Sequence, residues 1–587
     1  MAQLSPSQAI GASIPNNTAH AISVTLPTWE ATVGYEEGED WVVSKMKSGY
    51  PRFFIHGIIK ELETKIEEKY SRNGERCMIF PSYNAAKRCR EFIKAKSENN
   101  PQLARRVLQL STPPPATDFE KSSRIELTVG IVFFPANEFP LAKQYWQHSG
   151  EGISSRMAEY VLKELFEVKD QSRLLGRSKQ ELQAQSIQRK SPSISASMRA
   201  SSMSHNEEVD RDFNTFIEQK YGRVLDLKFA EEAKVALRRR ISGEAEKSEK
   251  VTGNSEDSKR GIVLRESEVY LYPTGMASIF HAHQALLGTV ENPLKSVCFG
   301  FPYVDTLNIL RKFGPGCVFY GFGDDESLDQ MEKALESGEI EIMGLFCECP
   351  SNPLLKTPNL KRIRELANKH KFAVVVDETV GNLLNISVMQ YADMVVSSLT
   401  KVFSGDSNVM GGSLILNPLT PMYTLLKKYF DENYEDTYWA EDALYLERNS
   451  RDFVDRSKRI NENAIKVVDL LVSSPLISEV YYPSLVESKK YYDAVKTPDG
   501  GYGGLISFLL KKPQDAITFF NAINLHKGPS LGTNFTLACP YTILAHYQEL
   551  DEVEKWGVDR NLIRISVGLE DLDELLEVLQ SSLDACK

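Results

Sequence analysis

The chain has 587 residues, 42% of them hydrophobic and 25% charged, with a formal net charge of -11. This length predicts about two to four domains, and the composition is typical of a globular enzyme. Because there is no basic excess to replace phosphate counterions, we exclude general nucleic-acid binding. No apolar run in the sequence approaches the roughly 20 residues of a membrane helix, so we predict no membrane partner.

The amino-terminal segment carries no charge and is rich in Ser, Thr, Ala and Pro, a composition that predicts a flexible arm over residues 1–29. The first charged side chain is that of Glu30. Since a signal peptide and a mitochondrial transit helix both need early basic residues, this arm favours a cytoplasmic protein.

Residues 30–169 are predicted to form an amino-terminal extension domain of the α+β type. The stretch "GIIKELETKIEEKY" has the period of an amphipathic helix, and "RCMIFPS" and "IELTVGIVFFP" have the composition of strands. The sequence leaves three roles open for this domain: it could stabilise the fold, block another assembly or bind a regulator.

Residues 170–205 form a Ser- and Gln-rich stretch without an apolar period, which predicts a disordered linker. Residues 206–260 are predicted to begin the next folded part, and they include a polar insertion, "GEAEKSEKVTGNSEDSKR". The chain has 8 cysteines, too sparse for a disulfide framework. We therefore predict free thiols and no bound metal.

From residue 261 onward, apolar strand patterns alternate with helical patterns. Such alternation predicts βαβ units and a mainly parallel sheet covered by helices on both faces. We assign residues 261–455 to this large domain and residues 456–587 to a smaller carboxyl-terminal α/β domain. The predicted strands are "EVYLYP", "SVCFGF", "CVFYGF", "IMGLFCECP", "FAVVVDE", "MVVSSLT" and "GGSLILN", and the predicted helices cover residues 275–288, 305–313, 327–336 and 358–370.

Two charged residues, Asp377 and Lys401, follow predicted strands of this sheet. The carboxyl ends of parallel strands converge on one ligand-binding edge, so we expect the two side chains to meet there. Burying either charge unpaired is costly, and two arrangements would avoid that cost. One is a salt bridge. The other is a pyridoxal 5'-phosphate (PLP) site, in which a lysine forms a Schiff base and a carboxylate keeps the pyridine nitrogen protonated.

Three further features favour the cofactor. A Gly loop opens a predicted helix, so the backbone amides of Gly275 and Met276 can meet a phosphate at the positive end of the helix dipole. Ser398 and Thr400 place two hydroxyl groups on one side of the chain, where they suit the same phosphate. Asn352 follows another strand in "ECPSNP", where its amide could bond the phenolic oxygen of the ring. A turn or a helix cap explains each feature alone, but their joint occurrence favours a PLP site.

The order and spacing of these motifs resemble the Cys/Met-metabolism family of fold-type I PLP enzymes, which includes synthases, lyases and sulfhydrylases. The resemblance covers residues 206–587 and implies an aspartate-aminotransferase-like α/β fold with PLP as the cofactor. The preceding residues 25–56 resemble the amino-terminal extension of fungal cystathionine γ-synthases. The matching segments are "YGR" (221–223), "TGM" (274–276), "PYVDT" (302–306), "ECPSNPLL" (348–355), "VVVDET" (374–379), "SSLTKVFSGDSNVMGG" (397–412), "PSLG" (529–532) and "RISVGLED" (564–571).

This resemblance implies roles on the cofactor side of the site. Lys401 would form the Schiff base and move protons on the substrate, and Asp377 would pair with the pyridinium nitrogen. Tyr303 would stack over the ring and assist proton transfer. The other residues implied to bind the cofactor are Gly275, Met276, Ser398, Thr400 and Asn352.

The resemblance also implies that subunits share their sites. Tyr221 and Arg223 match a Tyr-x-Arg triplet that in this family reaches the phosphate of the neighbouring subunit's cofactor, which implies a homodimer or a homotetramer. Tyr70 and Arg72 form a similar triplet. Because Tyr221 lies at close to the family's distance from Gly275, we assign the phosphate role to Tyr221 and Arg223.

On the substrate side, the resemblance assigns the α-carboxylate to Arg564, whose planar guanidinium suits a bidentate contact, and places Ser530 in the loop beside it. Three segments depart from the family pattern. Asp305 replaces a glycine of the family pattern, and Glu378 replaces an asparagine. Asn534 lies in the segment 533–536, whose residues differ from those common in the family. We expect these changes to face the substrate.

The resemblance implies a γ-replacement reaction. The acyl group of an O-acylhomoserine, either O-succinyl or O-acetyl, is replaced by L-cysteine to give L-cystathionine, a step of transsulfuration and methionine biosynthesis. The amino-terminal extension favours this reaction over that of a cystathionine β- or γ-lyase or an O-acetylhomoserine sulfhydrylase, which use the same cofactor chemistry. A non-catalytic regulatory protein is a third hypothesis, which the presence of Lys401, Asp377, Tyr303 and Arg564 disfavours.

Overall fold

A computed structural model of the chain gives the fold. It describes residues 9–46, 48–50, 53–72, 74–97, 105–117, 120, 124–167, 226–244 and 260–587. The predicted linker 170–205 and nearly all of the polar insertion lie outside the described residues. Over the described ranges, no helix combines the length and the apolar character that crossing a bilayer requires.

A three-stranded antiparallel sheet forms the centre of the amino-terminal module, which we define as the described residues between 9 and 167. The sheet has the order β3-β5-β4, and its central strand is β5. The strands of the module are β1 (Ser13–Ile14), β2 (Ser23–Val24), β3 (Glu75–Phe80), β4 (Arg106–Ser111) and β5 (Thr128–Pro135). Its helices are Trp29–Glu37, Asp40–Val43, Gly57–Tyr70, Tyr83–Lys96, Phe139–Ser149 and Ser155–Leu162.

The start of the module corrects the prediction of a flexible arm over residues 9–28. The two short strands β1 and β2 pair with each other, and the buried side chains of Ile14 and Val24 anchor them. The amide of Ile22 donates to the carbonyl of Ser407 at 3.0 Å, and the amide of Leu26 donates to the carbonyl of Lys527 at 3.0 Å. Backbone hydrogen bonds to distant segments do not depend on the side chains, so the composition of this segment could not predict them.

A seven-stranded mixed sheet forms the centre of the large domain, in the order β6-β12-β11-β10-β9-β7-β8. The strands from β8 to β11 in this order run parallel, and β12 and β6 add antiparallel pairings at one edge. This arrangement confirms the predicted mainly parallel sheet. The strands are β6 (Val269–Tyr272), β7 (Lys295–Phe299), β8 (Cys317–Tyr320), β9 (Ile342–Glu348), β10 (Ala373–Asp377), β11 (Met394–Ser398) and β12 (Gly412–Leu416).

Helices pack on this sheet close to where the sequence predicts them. Buried apolar side chains such as Leu328, Met331 and Leu335 recur every three or four residues along their inner faces. The helices of this domain are Ala230–Ser242, Gly275–Thr289, Val304–Lys312, Asp325–Glu336, Leu360–His370, Tyr423–Asn433 and Ala440–Asn449. The next helix, Phe453–Ser473, packs mainly against the carboxyl-terminal sheet.

A five-stranded sheet forms the carboxyl-terminal part, in the order β13-β14-β17-β16-β15. Its strands are β13 (Ile477–Tyr481), β14 (Leu505–Leu510), β15 (His526–Lys527), β16 (Leu537–Pro540) and β17 (Ile563–Ser566). The remaining helices are Lys489–Val495, Pro513–Ala522, Tyr541–His546, Leu550–Glu554 and Leu572–Asp584. These strands and helices confirm the predicted smaller α/β part at the carboxyl terminus. Strand β17 carries Arg564 toward the larger sheet.

A buried carboxylate joins the amino-terminal module to the large domain. Glu151 accepts hydrogen bonds from His281 at 3.0 Å and from the Tyr145 hydroxyl at 2.5 Å, and it pairs with Arg88. Burial alone would raise the pKa of Glu151, but the cationic Arg88 and the His281 contact hold that pKa well below its usual range. This charged contact lies on the helix Gly275–Thr289, whose first residues face the site.

Candidate functional site

A cavity of about 190 Å³ lies at the carboxyl ends of the central strands of the large sheet. This is the edge at which a parallel α/β sheet binds ligands. Nine of the residues that the sequence analysis selects line this one cavity, although they lie far apart in the chain. They are Gly275, Met276, Tyr303, Asn352, Asp377, Ser398, Thr400, Lys401 and Arg564.

The amine of Lys401 is nearly buried, with 8% of the residue exposed. Its Nζ donates to the hydroxyl of Tyr50 at 2.8 Å and to the hydroxyl of Ser530 at 3.4 Å. Asp377 accepts instead from the amide of Thr379 at 2.8 Å. Lys401 and Asp377 therefore share a cavity without bonding to each other, which contradicts the salt-bridge interpretation.

Two carboxyl groups, those of Asp377 and Glu348, end the neighbouring strands β10 and β9. Both line the cavity, and burial raises the pKa of each, with repulsion between them raising it further for Glu348. Glu348 accepts from the amide of Tyr303 at 2.5 Å and from the amide of Asn352 at 3.1 Å. Asp377 is thus a buried acid whose ionised form a cationic ring nitrogen would stabilise.

The segment next to Lys401 forms a cradle at the start of the helix Gly275–Thr289. A Cβ atom at Gly275 would lie 2.6 Å from the Cβ of Ser398, so only glycine allows this approach. The helix amides and the hydroxyls of Ser398 and Thr400 then surround one small space. Amide and hydroxyl donors at a helix start are the groups that bind a phosphate, so these residues fit PLP.

The guanidinium of Arg564 is buried, with 3% of the residue exposed. It donates to the Oδ1 of Asn352 at 3.1 Å and to the carbonyls of Pro529 and Ser530 at 3.1 and 3.0 Å. It also lies over the ring of Tyr541, at 4.7 Å from the ring centroid. These described partners are all neutral, so the site offers an uncompensated positive charge to an anionic ligand.

The expectation that the departures from the family pattern face the substrate is wrong for their side chains. Asp305 pairs with His148 of the amino-terminal module at 3.0 Å, and Glu378 pairs with the buried Arg260. Asn534 donates to Asp406 at 2.7 Å. Each change thus forms a polar contact that supports the walls of the site from outside the cavity.

Two residues near Lys401 escape the sequence analysis. Arg456 donates to the carbonyls of Val402 and Phe403, at 2.8 and 3.0 Å, and so holds the loop after Lys401. No sequence signal distinguishes it from other arginines of an amphipathic helix.

The second missed residue is Tyr50, which touches Lys401 directly. It begins the triplet Tyr-Pro-Arg, a third Tyr-x-Arg in the sequence, which is not among the predicted site residues. The selected triplet, Tyr221 and Arg223, lies outside the described residues. Tyr70, from the rejected triplet, packs at the edge of the core of the amino-terminal module.

A model of the family described as "Cys/Met metabolism PLP-dependent enzyme" matches residues 263–584. The chain belongs to this family. Its members are enzymes, and their cofactor is PLP, in agreement with the cradle and the lysine described above. A second family model, "Fungal trans-sulfuration enzyme, N-terminal domain", matches residues 58–154 within the amino-terminal module.

Curated relatives match the chain along nearly its whole length. It is 47% identical to the cystathionine gamma-synthase of Neurospora crassa, over 98% of each chain. It is 44% identical to the cystathionine gamma-synthase of Saccharomyces cerevisiae, over 98% of this chain and 99% of the relative. Among solved structures, a cystathionine gamma synthase from Xanthomonas oryzae pv. oryzae in complex with cystathionine covers 61% of this chain and 98% of its own, at 23% identity and a TM-score of 0.49.

Proposed function

We propose that the protein is a cystathionine γ-synthase of this family, which replaces the acyl group of an O-acylhomoserine by L-cysteine. The observation that carries the proposal is the buried, uncompensated Arg564 facing the same cavity as Lys401, a site for an amino-acid carboxylate beside a reactive amine. The similarity to curated synthases, which includes the amino-terminal module, supports this choice of reaction.

When bound, PLP supplies an electron-withdrawing ring that stabilises negative charge next to the substrate's α-carbon. Asp377 would hold the proton on the ring nitrogen that this chemistry needs. Gly275 and Met276, through their amides, and Ser398 and Thr400, through their hydroxyls, would hold the phosphate. Tyr303, which lines the same cavity, would cover the ring.

The role of Asn352 differs in detail from the expectation. Its Oδ1 already accepts from Arg564, so it orients the guanidinium that binds the substrate. Its Nδ2, at 3.5 Å from the Tyr541 hydroxyl, is the group we assign to the phenolic oxygen of the ring.

Lys401 performs the proton transfers on the substrate in this proposal. Its amine takes the proton from the α-carbon, would pass it to the carbon through which the bound cofactor is joined to the substrate, and is then free to take the second proton from the β-carbon. The bond between the γ-carbon and the ester oxygen breaks, and the acyl group leaves as a carboxylate. The cysteine thiol loses its proton as the new carbon–sulfur bond forms at the γ-carbon, and protons return to the β- and α-carbons to give cystathionine.

The test supplies the purified holoenzyme with O-acetylhomoserine or O-succinylhomoserine, in each case with L-cysteine, and measures cystathionine and 2-oxobutanoate. We expect cystathionine to dominate with at least one ester. Pyruvate or 2-oxobutanoate formed from cystathionine alone would instead indicate a lyase. Homocysteine formed faster with sulfide than cystathionine with cysteine would indicate a sulfhydrylase.

We also propose a cytoplasmic location and a homodimer or homotetramer. All eight cysteines are free thiols, which is typical of proteins in reducing compartments. The oligomeric state stays a prediction from the resemblance, and size-exclusion chromatography with light scattering measures it directly.

A further inference from the structure

A buried ion pair lies directly behind the cofactor site, on the side of strand β10 that faces away from the cavity. Asp377 ends this strand and lines the cavity. The next residue, Glu378, points to the opposite side, because successive side chains of an extended chain alternate. Glu378 is fully buried and pairs with Arg260, of which 2% is exposed. A second carboxylate thus follows Asp377 in the chain without facing the ligand.

The guanidinium of Arg260 joins both ends of the turn that follows Asp377. It pairs with Glu378 at the start of the turn and donates to the carbonyl of Leu383 at its end, at 3.0 Å. Asn382 and Leu383 have φ values of 60° and 67°, which residues other than glycine rarely adopt. A turn with two left-handed residues keeps its shape only where the surrounding contacts hold it, and Arg260 supplies two of these contacts.

The same turn carries Thr379, which contacts two parts of the cofactor site. Its amide donates to the carboxylate of Asp377 at 2.8 Å, and its hydroxyl oxygen accepts from the amide of Ser398 at 2.8 Å. Asp377 is the acid assigned to the ring nitrogen, and Ser398 belongs to the phosphate cradle. A shift of this turn would therefore move the acid relative to the cradle.

The charge of Arg260 also acts on this part of the site. Burial raises the pKa of Glu378, and the cationic Arg260 opposes that rise. Burial, with a smaller contribution from the charge of Glu378, raises the pKa of Asp377 to about 6. Without the guanidinium, Glu378 would be a buried carboxylate that lacks this cation, beside a second buried carboxylate.

The backbone of Arg260 is fixed as well. The hydroxyl of Ser387 donates to the carbonyl of Arg260 at 2.8 Å, and the amide of Ser387 donates to the carbonyl of Val495 at 2.8 Å. A Cβ atom at Gly261 would lie 2.6 Å from the Ser387 hydroxyl, and the φ of 74° at this position also favours glycine. The guanidinium therefore extends from a fixed point of the chain.

We propose that Arg260 is a positioning residue of the cofactor site, which through its pair with Glu378 holds the turn 378–383 and so keeps Asp377 in place for the ring nitrogen of PLP. This proposal rests on the assignment of Asp377 as the partner of the ring. It is independent of the acyl ester or thiol that the enzyme uses.

The first test measures how tightly the full-length protein, freed of its cofactor, binds PLP again. Arg260→Met keeps a long side chain and removes the charge. We expect the dissociation constant of PLP to rise about 10- to 100-fold, the factor that corresponds to one lost hydrogen bond to a charged group. Titration with PLP, followed by the fluorescence of tryptophan, gives the constant, since Trp146 lines the cavity. Wild-type affinity in this variant would overturn the proposal.

The matched control is Arg364→Met, at the other end of the same strand. Arg364 pairs with the buried Asp393 at 2.8 Å, and Asp393 accepts from the amide of Val374 near the start of β10. Each variant leaves a buried carboxylate without its cation, so both should unfold at lower urea concentrations than the wild type. Only Arg260→Met should weaken PLP binding. An equal loss of PLP affinity in both variants would show that Arg260 acts through overall stability, and would overturn the proposal.

A second variant tests the route through Glu378. Arg260→Met/Glu378→Asn removes both charges and introduces the asparagine of the family pattern, so it buries no unpaired charge. We expect it to bind PLP at least about ten-fold more tightly than Arg260→Met, because the two changes are coupled. Equal affinities of the two variants would contradict a role through Glu378.

The conservative variant Arg260→Lys keeps the proposal testable if Arg260→Met fails to fold. Lysine retains the charge, but a single amine cannot bond Glu378 and Leu383 as the planar guanidinium does. We expect the dissociation constant of PLP to rise about 3- to 10-fold, with no change in Arg364→Lys. An unchanged constant in Arg260→Lys would overturn the positioning role, whether or not the protein makes cystathionine.

Discussion

The two walls of the cavity differ in what they supply to the reaction. The strand-end wall carries the carboxyl groups, Lys401 and Arg564. The module wall, formed by the amino-terminal module, carries mostly rings and aliphatic side chains, with the polar side chains of His20, His56, Gln147 and Ser155 and the Tyr50 hydroxyl, which contacts the amine. The first wall provides the groups that bind and react. The second lowers access to water, which strengthens every charge interaction in the cavity. A site of this kind therefore needs both a set of motifs and an enclosing surface.

Removal of the amine tests the strand-end wall most severely. We expect Lys401→Ala to lower kcat/KM by at least about 10³-fold and to abolish the visible band that depends on the lysine, because both the covalent attachment and the proton transfers are lost. Steady-state kinetics and absorbance spectra measure the two effects. Lys369→Ala, at an exposed helix position, is the control. A Lys401→Ala protein that keeps the wild-type band would contradict the assignment.

The substrate end of the same wall gives the next largest effect. Arg564→Lys keeps the charge but loses the planar fork, so we expect KM for the homoserine ester to rise about 10- to 100-fold. The variant is assayed over a range of ester concentrations at saturating cysteine. Arg560→Lys is a matched control four residues earlier, where the guanidinium is exposed to solvent and bonds Glu554. Equal KM values in Arg564→Lys and the wild type would remove Arg564 from substrate binding.

The strand-end wall is also the part that the sequence predicts well. Asp377 and Lys401 follow apolar strands. The carboxyl ends of parallel strands lie at one edge of the sheet, and this does not depend on how the connecting helices pack. The alternation of strands and helices is local, so the seven strands of the large domain and the four helices predicted between residues 275 and 370 are found close to where the sequence predicts them.

The module wall could not be predicted in the same way. Tyr50, with Phe53 packed against its ring, reaches Lys401 only because a separate sheet and its helices pack against the large domain. Residues 9–28 join the fold through backbone hydrogen bonds, which leave no trace in composition. The contact partner of Asp305 is His148, which lies in the amino-terminal module, so the sequence around Asp305 alone could not predict the role of its side chain.

The contact between the two regions can be weakened without touching either wall. His148 accepts from Lys312 through Nε2, so its imidazole is neutral and donates to Asp305 through Nδ1. Asp305→Ala leaves this buried donor without its acceptor, so we expect the free energy of unfolding to fall by about 1–3 kcal/mol. Urea titration of the holoenzyme measures this loss. The control is Asp329→Ala, because that carboxylate is exposed on the helix Asp325–Glu336 and its change should stay within about 0.5 kcal/mol. A similar loss in both variants would mean that the contact between Asp305 and His148 stabilises the fold no more than an exposed carboxylate does.

The smallest effect concerns the interior of the amino-terminal module. Burial, with repulsion from Glu67, raises the pKa of Glu63 to about 8, although Arg76 and Lys60 oppose the shift. The folded protein therefore keeps this proton up to about pH 8, whereas the unfolded chain releases it near pH 4.3. The stability that Glu63 contributes is complete below about pH 4 and is lost as the pH rises through 8.

Glu63→Gln should remove this dependence, because the amide stays neutral at every pH. We expect the variant to match the wild type near pH 5 and to be more stable by about 1–2 kcal/mol near pH 8. Thermal unfolding at the two pH values measures the difference, and Glu61→Gln, exposed on the same helix, should show none. An equal gain at both pH values would mean that packing, and not the proton, explains it. A gain confined to high pH would show that ionisation of Glu63 above neutral pH weakens the interior of the amino-terminal module.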